Sequence, residues 1–149
     1  MAGNYLKIEF PSLPQNVGLA RTMAAVFASQ LEFTLAELEE IRVAISEAVS
    51  NCVIHAYPQK IGQILLELGI EQGLITMKVR DFGKGIADIE QAKQATYSTE
   101  PERMGLGLVF MESFMDELVI DSELQAGTTI TMKKRPERGL ANVGFSRSS

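Results

Sequence analysis

Residues 34–57 read TLAELEEIRVAISEAVSNCVIHAY, and this stretch decides the architecture. Thr34 followed three residues later by Glu37 is a capping box, in which each side chain satisfies a backbone N–H of the first turn. From there Leu38, Ile41, Ile45, Ala48 and Cys52 recur at steps of three and four, an apolar stripe that faces a core. Pro58 stops the pattern after about Tyr57. A helix with one apolar stripe has to lie on a partner, and the flanking segments supply a sheet.

Towards the N-terminus, Tyr5 to Phe10 alternates, with Leu6, Ile8 and Phe10 on one face of a strand, until Pro11 and Pro14 interrupt it. Val17 to Leu31 then carries Leu19, Met23, Val26, Phe27 and Leu31 at helical spacing. Towards the C-terminus, Ile61 to Ile70 and Leu74 to Arg80 are strand-like, and Glu71-Gln72-Gly73 suits a hairpin turn between them. From Asp81 to Gly107 the regular pattern fades, which predicts a long loop with a short helix near Ile89 to Ala92. A loop of that length inside a compact domain is usually functional, often a lid. A third helix is expected from about Gly105 to Met115, then strands Leu118 to Ser122 and Thr128 to Lys133 around Gly127. The polar tail from Pro136 is expected to be mobile. The sum is an α+β two-layer sandwich, helices on one face of a mixed, mainly antiparallel sheet, with one domain over 1–135 and a tail over 136–149.

A chain of 149 residues suits one domain with a sizeable core, and 46% hydrophobic against 22% charged residues argues against disorder of the whole chain. The formal charge of −5 is a poor match for a phosphate backbone, so a protein or small-molecule partner is expected rather than a nucleic acid. Cys52 is the single cysteine and His55 the single histidine, which leaves no internal disulfide, thiolate cluster or His-only zinc site. Apolar runs fall short of a membrane span, and the opening MAGNYLKIEF lacks the regions of a signal peptide, so the cytoplasm is the expected compartment.

Glu47, Asn51 and His55 rise along one side of the second helix at four-residue steps. Such a row is either a solvated face or a carboxylate beside an amide oxygen able to ligate Mg²⁺. Asp81 stands at a strand end before Gly83 and Gly85. Those glycines are either an ordinary turn or a place where backbone approaches a ligand, with the carboxylate accepting from an exocyclic amine. Met104-Gly105-Leu106-Gly107-Leu108 opens the third helix, either as a flexible start or as free N–H groups suited to phosphate, with Arg103 adding charge. Gly127-Thr128 is a turn unless Thr128 lies near Asp81. Asp81-Phe82-Gly83 matches a protein-kinase triplet, but the other kinase motifs and a P-loop are missing.

Taken in order, Glu47-x-x-x-Asn51-x-x-x-His55-Ala56, Asp81-x-Gly83-x-Gly85-Ile86, Gly105-Leu106-Gly107-Leu108 and Gly127-Thr128 resemble the boxes of the GHKL ATPase/kinase superfamily. Within it the chain is most similar to the small anti-sigma factor serine kinases of spore-forming bacteria, from Tyr5 to Lys134 and including Met111 to Glu117. The resemblance implies ATP or ADP with Mg²⁺, held by Asn51 as metal ligand. It implies Asp81 as the adenine-specifying carboxylate supported by Thr128, and Gly83, Gly85 and Ile86 lining the base pocket. A lid over Thr96 to Met104 would bring Ser98, Thr99, Arg103 and Met104 near the phosphates, which Gly105, Leu106, Gly107 and Leu108 would cradle. His55 would touch phosphate or the magnesium shell, or simply end the helix. Glu47 matches the general base. The implied partners are a sporulation sigma factor, sigma F-like, a serine-bearing anti-anti-sigma protein, and a second copy in a homodimer, with Arg21 as a partner contact. Phe82, where many relatives are polar, and the short stretch from Pro101 to Gly105 depart from that pattern. A histidine-kinase ATP-binding domain and a nucleotide-gated binding module without kinase activity are the alternatives.

Overall fold

A computed structural model describes residues 3–86 and 100–137, and side chains in the second stretch from residue 105 onward. Strand β1 (Asn4–Pro11) leads into helix α1 (Gln15–Ala28) and helix α2 (Leu35–Asn51). The last turn of α2, Cys52–Ala56, widens into a π turn. Strands β2 (Gln63–Glu71) and β3 (Leu74–Asp81) follow, then helix α3 (Glu100–Phe114) and strands β4 (Glu117–Glu123) and β5 (Gly127–Lys134). The strand order is β1-β2-β3-β5-β4. All four pairings are antiparallel, so among the described residues the expected parallel component is absent.

The core lies between one sheet face and the helices. Ile64, Leu66 and Leu68 from β2, Ile75, Met77 and Val79 from β3, and Ile130 and Met132 from β5 are buried there, with Ile41, Ile45, Val49, Leu108 and Met111 from the helices. The apolar stripe read on α2 is the one that packs inward. The capping box is formed: Glu37 N–H donates to Thr34 Oγ1 at 3.1 Å and Thr34 N–H to Glu37 Oε1 at 2.8 Å.

Helix α1 packs differently from its apolar spacing. Ala20, Ala24, Ala25, Phe27 and Ala28 are its buried residues and α2 is its main neighbour, while Leu19 and Val26 are 50% and 65% exposed. Alanines leave little side chain between two helix backbones, so the close contact falls to them rather than to the larger residues.

Helix α3 begins at Glu100, not near Gly105. Glu100, Pro101 and Glu102 are the reason: proline is accommodated in a first turn, and acidic residues there favour the positive end of the helix dipole. The expected helix near Ile89 to Ala92 lies outside the described residues. Beyond β5 the chain stays anchored through Glu137, whose N–H donates to Glu37 Oε2 at 2.9 Å. The rest of the predicted tail, 138–149, lies outside the described residues. No helix among those described is long and apolar enough to cross a membrane.

Candidate functional site

Asp81 ends β3 and is 5% exposed. The register sets it opposite Thr128 at the start of β5, answering the condition attached to the Gly127-Thr128 pair. Its Oδ1 accepts the N–H of Gly83 at 3.0 Å and of Thr128 at 3.2 Å. The Cys52 thiol approaches Oδ2 at 3.5 Å and the Ala48 carbonyl at 3.4 Å. Oδ1 is therefore committed to backbone, while Oδ2 is met, among the described residues, only by a weak and rotatable donor. Burial pushes the Asp81 carboxyl above its ordinary range, and the bonds from Gly83, Cys52 and Thr128 pull against that rise.

Thr128 supports Asp81 through its backbone N–H, whereas its hydroxyl pairs with Ser122 Oγ at 2.7 Å. Ser122 Oγ also accepts the N–H of Ile86 at 2.7 Å. The glycine loop is clamped from both sides. Gly83 lies so close to the Ala56 carbonyl that a Cβ would stand 2.2 Å from its oxygen. Gly85 has φ +79° and sits against Glu123, a conformation and a contact that exclude larger residues. Lys84 N–H donates to the Ala56 carbonyl at 3.0 Å, fixing the loop to the end of α2. Phe82, the departure noted in the sequence, lies under the Arg80 guanidinium, 4.8 Å from its ring centre.

Asn51, Cys52 and His55 from α2 line one cleft with Asp81, Gly85, Ile86 and Thr128. His55 is buried and Asn51 half-buried. The space between these side chains is about 20 Å³, enough for one water. Glu47 stands one turn before Asn51 and reaches α3: a Cβ on Gly107 would lie 3.3 Å from Glu47 Oε1. Gly107 thus leaves room for that carboxylate.

Gly105 to Leu108 lie inside α3 rather than at its start. Only the first four N–H groups of a helix lack an internal partner, so those of Gly105 to Leu108 are engaged along the helix. Leu108 is wholly buried in the core. The expectation of free N–H groups at this position is corrected, because the helix starts five residues earlier. Ser98 and Thr99 lie outside the described residues, and Arg103 and Met104 belong to the first turns of α3, without described side chains. Arg21 is exposed on α1 beside a groove lined by Gln15, Ser50 and Val53.

Mg²⁺ takes oxygen ligands and keeps water and phosphate oxygens in its shell. Among the described residues no group of three or more His, Cys, Asp or Glu could cage a metal. A half-buried amide oxygen at Asn51, at the cleft, fits an ion that shares its remaining ligands with a triphosphate.

Sequence reasoning missed three contributors. Cys52 reads as a core position because the stripe spacing hides its contact with Asp81. Tyr57 reads as a helix end, and Ser122 as a strand residue; only their packing reveals their bonds.

The histidine kinase-like ATPase domain family model matches residues 10–134. The chain is 46% identical over 133 residues to the anti-sigma F factor of Caldanaerobacter subterraneus subsp. tengcongensis, covering 88% of this chain and 93% of that one. It is 40% identical over 141 residues to the anti-sigma F factor of Bacillus subtilis, covering 93% and 97%. Among solved structures, the histidine kinase domain of an Erythrobacter litoralis blue-light activated histidine kinase superposes with a TM-score of 0.55 at 16% identity. That match covers 91% of this chain and 66% of the other, a likeness of fold alone.

Proposed function

We propose, from the premise that this chain belongs to the histidine kinase-like ATPase domain family and is kin to anti-sigma F factors, that it is an ATP-dependent serine kinase and sigma-factor inhibitor. The observation that carries the reading is the buried Asp81 carboxylate, with one oxygen held by two backbone N–H groups, lining a cleft shared with Asn51. In this reading an adenine amino group donates to Oδ2, whose other partner is the weak Cys52 donor, whereas a guanine carbonyl would meet an acceptor and be repelled.

In this reading Asn51 would hold the Mg²⁺ of the nucleotide, and the ion would supply charge neutralisation on the triphosphate. Glu47 receives the proton of a serine hydroxyl on a second protein. The hydroxyl oxygen bonds to the γ-phosphorus as the bond to the bridging β–γ oxygen breaks and ADP leaves. Phosphoryl transfer rests chiefly on positioning and charge stabilisation, so Glu47 orients the hydroxyl and takes its proton late. General-base removal costs about 10²–10⁴-fold. The acceptor is an anti-anti-sigma protein, and the second partner is a sigma factor held on a surface that includes Arg21. A homodimer, a cytoplasmic site of action and Ser98, Thr99 and Arg103 as lid residues belong to the same proposal.

Purified protein and its Glu47→Ala variant, incubated with γ-labelled Mg-ATP in extract from sporulating cells, test it. The expected result is one small protein labelled on serine by the unaltered chain only. ATP binding without any labelled acceptor would favour a nucleotide-gated binding module. Label appearing on histidine would favour the histidine-kinase alternative. Arg21→Glu is expected to weaken both partner complexes in pull-downs, and unchanged recovery would remove Arg21 from the interface.

A further inference from the structure

Tyr57 follows the π turn that ends α2 and is 5% exposed, with its ring packed on Gly62 so closely that a Cβ there would meet it at 2.2 Å. Its hydroxyl lies at the end of the β2–β3 ladder. The register pairs Ile64 with Asp81, so the next rung would join Gln63 to Phe82. Alternation supports this: Ser12 N–H bonds the Gly62 carbonyl on the β1 side, which turns the Gln63 carbonyl towards β3.

A phenol occupies that rung. Phe82 N–H donates to the Tyr57 oxygen at 2.6 Å, and the Tyr57 hydroxyl donates to the Gln63 carbonyl at 2.6 Å. One proton and one accepting lone pair are thus both used by backbone. The Asp81–Phe82 peptide is enclosed on another side by Gly127, where a Cβ would stand 2.2 Å from the Asp81 carbonyl oxygen. The peptide that carries Asp81 into the glycine loop has its direction fixed by this hydroxyl.

We infer that Tyr57 is a positioning residue for base recognition: its hydroxyl wedges β2 from β3 and so aims the Asp81 carboxylate into the cleft. The inference rests on the reading of Asp81 as the base acceptor. Without the hydroxyl, Phe82 N–H and the Gln63 carbonyl either close directly on one another or stay apart unpaired. Closure moves the peptide next to Asp81, and separation leaves that peptide without the bond that holds it.

The test compares equilibrium binding of Mg-ATP with that of purine riboside triphosphate, which lacks the 6-amino group, for the unaltered protein, Tyr57→Phe and Ser12→Ala. Ser12 Oγ accepts the Gly62 N–H at 2.9 Å at the same end of the sheet, so its loss removes a comparable bond without touching the loop. The preference for ATP is expected to fall about fivefold in Tyr57→Phe, the weight of one hydrogen bond, and to persist in Ser12→Ala. Full preference in Tyr57→Phe, or equal loss in Ser12→Ala, overturns the inference. No preference in the unaltered protein overturns the Asp81 reading itself, and this inference with it. Amide exchange in the unaltered protein gives a second readout that needs no variant. Phe82 N–H is expected to exchange as slowly as the β3 amides, and fast exchange counts against the wedge.

Discussion

Asp81 is held in a state that costs the empty protein. Burial raises its carboxyl above the ordinary 3.8, so its contribution to folding is present at low pH and is lost as pH rises through the folded value. Above that value the ionised group opposes folding, and in the proposed function the amine of the bound base would relieve it. Asp81→Asn keeps an oxygen for the Gly83 and Thr128 N–H groups while removing the charge. Its melting temperature without nucleotide should equal or exceed that of the unaltered protein, and added Mg-ATP should no longer raise it. Gly107→Ala should separate stability from activity in a related way. Alanine in a helix interior stabilises by about 0.5–1 kcal/mol relative to glycine, while its methyl crowds the Glu47 carboxylate. Denaturant titration should register equal or higher stability, and phosphotransfer should slow with ATP binding retained. At this scale the sequence offered Asp81, Asn51 and Glu47 as candidates, because their spacing is local. It did not disclose Tyr57, Cys52 or Ser122, whose partners at the site lie 6 to 36 residues away and depend on register.

Helix α2 is the element on which the others are fastened. Its capping box was legible because both halves sit within four residues. The same Glu37 also receives Glu137 from beyond β5, and that link was invisible at a separation of 100 residues. Burial raises the Glu37 carboxyl, but hydrogen bonds from Glu137 and Thr34 and the charge of Lys134 outweigh it, so the net shift is downward from 4.5. The stability Glu37 contributes is therefore present above its unfolded value and lost as pH falls through the folded one. Thr34→Ala should cost about 1 kcal/mol, and Glu37→Ala about 2 kcal/mol, by urea titration at pH 7. The difference should narrow on acidification. Lys134 ties α3 to α2: its Nζ donates to the Phe114 carbonyl at 2.7 Å and pairs with Glu40 at 3.3 Å. Apolar periodicity located α1, but Leu19 and Val26 from that pattern are exposed, because close packing chose alanine beside Phe27.

For the whole molecule, an antiparallel sheet with helices on one face brings the end of α2, the end of β3 and the start of β5 to one cleft, though they are far apart in the chain. Motif order carried that convergence into the sequence reading. The all-antiparallel pairing and the early start of α3 needed the folded chain, since neither strand direction nor a proline-tolerant first turn has a unique local pattern. Ligand linkage makes the convergence measurable, because nucleotide at a hundred times its Kd should stabilise the fold by about 2.7 kcal/mol. The most direct test of the central claim is calorimetric titration of Mg-ATP into the unaltered protein and into Asp81→Asn. Saturable one-to-one binding that weakens at least tenfold in the variant is the predicted result. Equal affinity in the two proteins, or no binding to either, would contradict the account.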